Sequence, residues 1–299
     1  MSFTDYDKCS LLLPMNGSNG GTTFTDWSPN GLTLTRGGAT LPVTSTASFK
    51  YYDSSGLFGA NASGIPSHLH FTDAAPIGTG QFTIAGWVKR VDSSSVGTLF
   101  DNRSNSGFTG ISSLDTAFTL VLSAASGKLR LVYGTGATTL DGTTSFTNGV
   151  YEHVALTRDA SNVLRGFLNG VKEFESTVSN DFSNPYTCIG GLSTAINSSG
   201  QYVQDFIFLK GVALWTADFT PPTRLIGTIS GTVHDKDGSV AARSIIAMPR
   251  SYPSKQYTTT SSAGDGTYSL TLPATEMSVV GLANESVLRE DKIERVIPE

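Results

Sequence analysis

The stretch Leu214–Leu225, LWTADFTPPTRL, decides where one fold ends and the next begins. Trp215 and Phe219 are separated by small polar residues, and Pro221 and Pro222 follow. Proline has no N–H to give to a sheet ladder, so two in succession stop strand pairing. We therefore interpret the stretch as the end of a first domain, where the two aromatic rings clamp the final strand against the sheets.

Composition and patterning indicate an all-β chain with two domains. The chain has 299 residues, of which 15% are charged and 32 are glycine, unlike a disordered polyelectrolyte or a helix-rich protein. Short runs alternate apolar and polar residues, and turn signals recur about every ten residues. We predict domains at 1–224 and 225–299, with the boundary inside 223–228.

Charge and the first residues bear on partners and location. The net charge is -5 and the 20 Lys and Arg are scattered, which argues against a nucleic acid partner. The start, MSFTDYDKCSLLLPMNGS, lacks the basic beginning and the long apolar run of a signal peptide. No run approaches the roughly 18 apolar residues that cross a bilayer. We expect a soluble protein made in the cytoplasm, without membrane insertion.

The two cysteines, Cys9 and Cys188, lie in strand-like apolar contexts. This favours buried thiols in a reducing compartment over a disulfide scaffold. A bridge between them is the alternative, because strands from opposite ends of a chain often pair in all-β sandwiches.

Period-2 alternation predicts the individual strands. QFTIAGWVKR is expected to be a central strand, with Phe82 and Val88 on one face. AFTLVLSAASGKLRLVYG predicts a hairpin turning at 125–127, and NVLRGFLNGVKEFEST predicts another, in which Asn169 and Gly170 suit a type I′ turn. YEHVALTRD and YVQDFIFLKG are apolar enough for inner strands. The spacing predicts a two-sheet sandwich or jelly roll.

After Pro222 the pattern of strand, turn and strand continues, in ISGTVHDKDGSVAARSIIAMPR, TTTSSAGDGTYSLTLPA, EMSVVGLAN and IERVIPE. About 70 residues are enough for a small β-sandwich. We predict that its core draws on Val233, Ile245, Tyr268, Leu270, Val279 and Val296.

Four segments resemble, in the family's order, the LamG-type, concanavalin A-like jelly roll of tailed-phage virion proteins. They are LLLPMNGSNGGTTFTDWSPNG, FTIAGWVK, YEHVALTRDASNVLRGFLNG and YVQDFIFLKGVALWTADFTPP, so the resemblance covers roughly residues 9 to 224. Two positions depart from the family pattern. Tyr151 stands in place of the usual Trp, and Phe206 follows Asp205 where the family has an acidic residue.

The tail resembles a carboxypeptidase-regulatory-like β-sandwich, of transthyretin or Ig-like type, through GTVHDKDGSVAARSI, SSAGDGTYSLTLP and RVIPE. Such a module often ends phage tail proteins, so the two resemblances support one another. Together they imply a virion protein whose partners are other virion proteins and host surface glycans. By analogy with fibre proteins, they also imply a homo-oligomer in the particle.

The same jelly-roll fold hosts glucanases, which need two carboxylates at the scissile bond. Those enzymes resemble one another in a Glu-x-Asp-x-Glu strand, and this chain has none. Before residue 224 the only glutamates are Glu152, Glu173 and Glu175. Glu173 and Glu175 flank a tight turn, so we interpret them as a solvated strand edge. We predict a protein that is not an enzyme.

Metal signals are incomplete. His68 and His70 in HLHF share a strand face that could hold a metal, but no third ligand is near in sequence, which favours a pair of surface histidines. His153 is expected to pack within its strand. DKDG at 235–238 resembles half a calcium loop and is interpreted as a turn. We predict no cofactor and no defined metal site, while calcium stays open because lectin-like jelly rolls sometimes use it.

The best candidate ligand loop is LFDNRSNSG, where Asp101, Asn102 and Arg103 offer hydrogen-bonding groups just after a strand. A polar turn is the alternative explanation for these residues. Trp27, in a turn-like context, is the aromatic residue placed to stack on a sugar ring.

Other residues of the same types have structural interpretations. Trp87 and Trp215 are expected in the core. Asp26 and Asp205 are expected to satisfy backbone N–H groups at turns.

Three hypotheses follow. The first is a non-enzymatic phage virion protein, a tail or fibre component whose lectin-like domain engages host carbohydrate. The second is a purely structural protein that decorates or cements a capsid or tail. The third, a glycanase, is disfavoured by the missing carboxylates.

Overall fold

The computed structural model describes residues 5–61, 64–91, 95–111, 115–124, 126–192, 198–234, 238–240, 242–275, 277–282, 294–296 and 298. The chain forms two compact units: a large unit, Lys8–Pro221, and a small unit, Pro222–Glu299 together with Met1–Asp7. Within the described residues, a single 3₁₀ turn at Tyr6–Lys8 accompanies the strands. No helix in that part of the chain has the length and apolar character needed to cross a bilayer.

The large unit is built from strands β1 to β15. Their bounds are β1 (Cys9–Leu13), β2 (Thr35–Gly37), β3 (Val43–Ser45), β4 (Ser55–Phe58), β5 (His68–Thr72), β6 (Phe82–Arg90), β7 (Gly97–Asp101), β8 (Phe118–Leu122), β9 (Lys128–Tyr133), β10 (Thr138–Ser145), β11 (Tyr151–Arg158), β12 (Val163–Leu168), β13 (Val171–Thr177), β14 (Tyr186–Ile189) and β15 (Gln201–Lys210).

These strands form two antiparallel sheets. The eight-stranded sheet has the order β13-β12-β11-β6-β15-β4-β3, and β1 also pairs with β15; the seven-stranded sheet has the order β10-β9-β8-β7-β14-β5-β2. The all-β sandwich is thereby confirmed, with β6 central between β11 and β15. Both predicted hairpins are present. Asn169 and Gly170 have φ of 51° and 82°, as a type I′ turn requires.

The core of the large unit lies between the two sheets. On β6, Phe82, Ile84 and Val88 point inward and are fully buried, as their alternation predicted. Arg158 of β11 also lies inside, where its guanidinium donates to the carbonyls of Gly78, Gly80 and Asn180. A buried charge is tolerated there because several backbone oxygens replace its water.

The small unit contains strands β16 (Ile226–Thr232), β17 (Ser244–Pro249), β18 (Tyr257–Thr260), β19 (Thr267–Pro273), β20 (Met277–Leu282) and β21 (Glu294–Val296). They form a two-stranded sheet, β16-β19, and a four-stranded sheet, β18-β17-β20-β21. Ile245 and Val279 are in its core, and Val233, Tyr268 and Leu270 pack against it, as predicted. Sequence patterning missed Ile229, Ala247, Leu272 and Met277. The side chain of Val296 and the turn residues 235–237 lie outside the described residues.

The start of the chain packs with the small unit. Tyr6 is fully buried, and its hydroxyl lies 2.8 Å from that of Tyr257. The two residues are 251 positions apart, so no local pattern could predict this contact. The structure divides the units between Pro221 and Pro222, whereas the sequence placed the boundary at 224/225 and assigned the first residues to the first domain.

The stretch after β15 covers the outer face of the eight-stranded sheet. Trp215 and Phe219 stack on each other with ring centroids 4.0 Å apart, and both rings meet His153 of β11 edge-on. Phe219 also meets Phe167 of β12. Trp215 is buried, as is Trp87, so the core interpretation of both is confirmed. The ring contacts go to β11 and β12, not to the final strand β15 as the sequence had suggested.

Replacing Phe219 with Ala should lower the melting temperature of the large unit. A half-buried ring and its three ring contacts are lost, at a cost of about 2 kcal/mol, which corresponds to a fall of roughly 4–8 °C for a unit of this size. Differential scanning calorimetry measures the change. Thr216→Ala, at an exposed position of the same stretch, is the matched control. Equal melting temperatures for the two variants would contradict the clamp.

Acid should weaken the large unit through His153. Burial, and then Lys50, lower the pKa of His153 to about 3, whereas an unfolded histidine has a pKa near 6.5. As the pH falls below 6.5, His153 becomes protonated in the unfolded chain but stays neutral in the folded chain. The free energy of unfolding therefore falls as the pH falls. Urea unfolding should therefore show a lower midpoint at pH 4.5 than at pH 7. His153→Phe should reduce that difference, and parallel pH profiles for variant and parent would contradict the explanation.

Candidate functional site

Two features that the sequence analysis treated separately meet at one cavity. The cavity has a volume of about 410 Å³ and lies on the outer face of the seven-stranded sheet, between β2, β5 and the loop 102–111. We call it the histidine pocket. It is lined by Gly37, Gly38, Ala39, Ile65, His68, His70, Gly107, Phe108 and Thr109.

Strand β5 supplies the two imidazoles. Leu69 and Phe71 point into the core, so His68 and His70 share the opposite face. Their ring centroids are 5.2 Å apart. The prediction of surface histidines is wrong for His68, which is only 1% exposed, and His70 is half-buried. Neighbouring chain segments cover them, which the sequence of β5 alone does not reveal.

The hydrogen bonds of His68 fix its chemistry. Its Nδ1 lies 2.8 Å from the carbonyl oxygen of Pro66. A carbonyl only accepts, so Nδ1 carries the proton and Nε2 presents a lone pair. Among the described residues, this buried Nε2 has no hydrogen-bond partner, and neither has Nδ1 of His70. Both histidines line the pocket, and these two nitrogens are buried atoms without a hydrogen-bond partner among the described residues.

Burial keeps both rings neutral. Burial lowers the pKa of His68 despite the bond to Pro66. Burial, and then the neighbouring His68, lower the pKa of His70 to about 4. At pH 7 the pocket presents imidazoles and no imidazolium.

Glycine makes room for the rings. A Cβ on Gly37, which pairs with His68 across β2 and β5, would lie 2.3 Å from His68 Nε2. Gly38 has a φ of +104°, and a Cβ there would lie 2.2 Å from the Pro66 carbonyl oxygen. Residues without side chains are needed at both positions for this wall of the pocket to exist.

The loop 102–111 forms the opposite wall. Phe108 stacks on His70 with ring centroids 4.1 Å apart and meets Tyr186 edge-on at 5.8 Å. Asn105 stabilises the turn of this loop, because its side-chain oxygen accepts the N–H groups of Gly107 and Thr109. Phe108 adopts a left-handed φ of 52°, which turns the chain back over the sheet.

The three ligand candidates of this loop lie beneath it. Asp101 is fully buried and accepts from the Arg103 backbone and, at 2.7 Å, from its Nε. Burial raises the pKa of Asp101, and Arg103 opposes that rise. The side-chain oxygen of Asn102 accepts the N–H of Phe118 at 2.7 Å. None of the three lines the pocket, and they anchor the loop as the polar-turn alternative described.

The residues of the loop that do line the pocket are Gly107, Phe108 and Thr109, which sequence reasoning missed. The available signal was an aromatic residue directly after the small polar run SNSG. Trp27 is half-buried and does not line the pocket; its backbone N–H donates to the carbonyl of Leu12 in β1.

Two aspartates outside the pocket also have structural partners. Asp26 accepts from the backbone of Leu12, Ser28 and Leu32, so its predicted turn role is confirmed. Asp205 accepts the hydroxyl of Tyr52 at 3.0 Å.

The glutamates of the large unit are engaged elsewhere. Glu173 is 6% exposed, so the prediction of a solvated edge is wrong for it; a bulge in β13 turns it toward β10, where Thr143 and Thr144 donate to it. Burial would raise the pKa of Glu173, but these hydrogen bonds lower it overall. Glu175 is exposed and pairs with Arg165 and Lys172.

Both cysteines are free and buried, which confirms the thiol prediction. Cys188 of β14 pairs with His70 of the neighbouring strand β5. Burial raises the pKa of the Cys188 thiol well above its ordinary value. Within the described residues, no group of three or more His, Cys, Asp or Glu side chains is arranged to hold a metal ion.

Comparison with known proteins gives one family-model match. Residues 63–206, which include β5 and the loop 102–111, match a family model described as the concanavalin A-like lectin/glucanases superfamily. No curated protein matches the chain.

Two solved structures are similar to this chain. Domain 4 of AbnA, a GH43 extracellular arabinanase from Geobacillus stearothermophilus, solved with arabinotriose, is 15% identical with a TM-score of 0.50, covering 68% of this chain and 94% of that one. The receptor binding domain of botulinum neurotoxin D is 10% identical with a TM-score of 0.48, covering 93% and 74%. At these identities the similarity extends to the fold alone. Residues 63–206 of the large unit are therefore similar to the concanavalin A-like domain of that model, within a sandwich of two antiparallel sheets.

Proposed function

We propose that this chain is a non-enzymatic component of a tailed-phage virion, a tail or fibre protein whose lectin-like domain binds host surface carbohydrate in the histidine pocket. The observation that carries the proposal is the pocket itself. It is a concave site with an aromatic wall and two buried, unsatisfied imidazole nitrogens on a lectin-type scaffold. Few polar groups set in a largely apolar cavity are typical of small-ligand sites.

Two further features support this assignment. The four jelly-roll segments and the tail resemble modules of phage virion proteins, which supports other virion proteins as partners and the assembled particle as the location. A fold neighbour, the arabinanase domain, has been solved with an oligosaccharide, so this architecture can hold one.

The proposal that the protein is not an enzyme rests on the lack of carboxylates in the pocket lining. Glycoside hydrolysis generally uses two carboxyl groups that flank the scissile bond. The residues that line the pocket include none. We extend the same reasoning to calcium, which takes oxygen ligands and chiefly carboxylates, and we propose that binding does not require it.

A glycan array and a host-cell adsorption assay, each run with and without EDTA, test the proposal. Binding should appear in both and survive EDTA. Loss of binding in EDTA would overturn the calcium-independent site. Incubation with the bound glycan should release no shorter product, and release would overturn the non-enzymatic assignment.

The purely structural alternative makes a different prediction. No glycan would bind under either condition, and cryo-electron microscopy of the particle would place the chain in a recessed lattice position. A distal tail position together with glycan binding supports recognition. The two measurements together therefore decide between a receptor-binding protein and a cement protein.

A further inference from the structure

The lining of the histidine pocket carries no formal charge at neutral pH. Its residues are glycine, alanine, isoleucine, phenylalanine, threonine and two histidines. Both histidines are held neutral by burial. An ionic ligand would lose its water on entry and find no opposite charge in the lining, which is costly.

The charged groups nearest in the chain are committed elsewhere. Arg36 precedes Gly37 on β2, so its side chain leaves the opposite face of the strand, where it donates to the carbonyl of Pro42. Asp101 and Arg103 form their own ion pair under the loop at 2.7 Å. These groups therefore offer no counter-charge to an anionic sugar and no ligand to a metal cation.

The unpartnered nitrogen of His68 can accept a hydrogen bond from a hydroxyl group. Nε2 of His68 is an acceptor, because the ring proton is on Nδ1, which donates it to the carbonyl of Pro66. Leaving a buried acceptor unpaired is unfavourable, because the hydrogen bond it made to water is not replaced. A hydroxyl group donates to such a lone pair without bringing in a charge.

The ring of Phe108 offers an apolar surface for the C–H groups of a sugar ring. Phe108 lines the pocket and is fixed in place by His70 on one side and Tyr186 at its edge. A sugar ring has C–H groups as well as hydroxyls, and an aromatic ring offers these an apolar surface. Hydroxyl acceptors on one wall and an apolar ring on the other match an uncharged sugar ring.

We propose that the histidine pocket binds one uncharged saccharide ring, with a ring hydroxyl donating to His68 Nε2 and the C–H surface lying against Phe108. This inference rests on the proposed glycan-binding function and adds the ligand class and the two residues that select it. Neutral hexose, pentose and N-acetylhexosamine units belong to this class. Sialic acid and uronic acid units do not.

The test compares neutral with acidic oligosaccharides by isothermal titration calorimetry on the full chain. Neutral probes should bind, and acidic probes of equal length should bind at least about tenfold more weakly. Phe108→Ala and His68→Phe should each weaken neutral binding by about tenfold or more, since one removes the apolar wall and the other removes the acceptor while keeping an aromatic ring. Circular dichroism checks that each variant is folded.

Two controls match these variants. Thr72→Ala changes an exposed residue at the end of β5, on the same face as the histidines and outside the pocket lining. Ser106→Ala changes an exposed position in the loop of Phe108. Both should leave the affinity within about twofold of the parent. If His68→Phe does not fold, Phe108→Ala decides, because Phe108 lies in a loop and is only half-buried.

The outcomes separate this inference from the proposed function. Preference for acidic probes, or neutral binding that neither variant weakens, overturns the inference while glycan binding stands. Failure of every probe in calorimetry and on the array overturns the proposed function as well. Neutral binding weakened by both variants and by neither control supports the inference.

Discussion

The large unit depends on one strand, β15, that has to pair with three others. Along one edge β15 pairs with β6, and along the other its first residues pair with β4 and its last residues with β1. The register against β6 breaks between Gln204 and Ile207, and Asp205 between them has a left-handed φ of 51°. This irregularity lets Val203 before it and Phe206 after it both face the core, although they are three positions apart and would lie on opposite faces of a regular strand.

The break in β15 also organises the outer face of its sheet. Gln204 points outward and accepts the N–H groups of Lys50 and Tyr51, which holds that segment over the sheet. Lys50 then lies 4.0 Å above the ring of Trp87. Beyond it, the stacked pair Trp215 and Phe219 covers β11 and β12. The aromatic residues of this face are therefore used to attach chain segments, and the histidine pocket lies on the outer face of the other sheet.

The histidine pocket, a candidate site, is built by residues whose individual roles are structural. A glycine pair opens the wall on β2, and a polar loop anchored by Asp101 and Asn102 carries Phe108 over His70. Burial then removes the charge that a histidine pair has at mildly acidic pH. Each contribution is structural, and only their combination produces a cavity with a hydroxyl acceptor and an aromatic wall.

Sequence by itself determined the all-β class, the central strand β6, and both hairpins with the Asn169-Gly170 turn. These features follow from local periodicity and turn chemistry, which act over a few residues. Only the tertiary structure decided that Tyr6 packs with Tyr257, that Glu173 is buried, and that His68 and His70 are covered and neutral. Those properties depend on contacts between residues distant in the chain, and burial, which sets the charge and hydrogen bonding of a site, is created by those contacts alone.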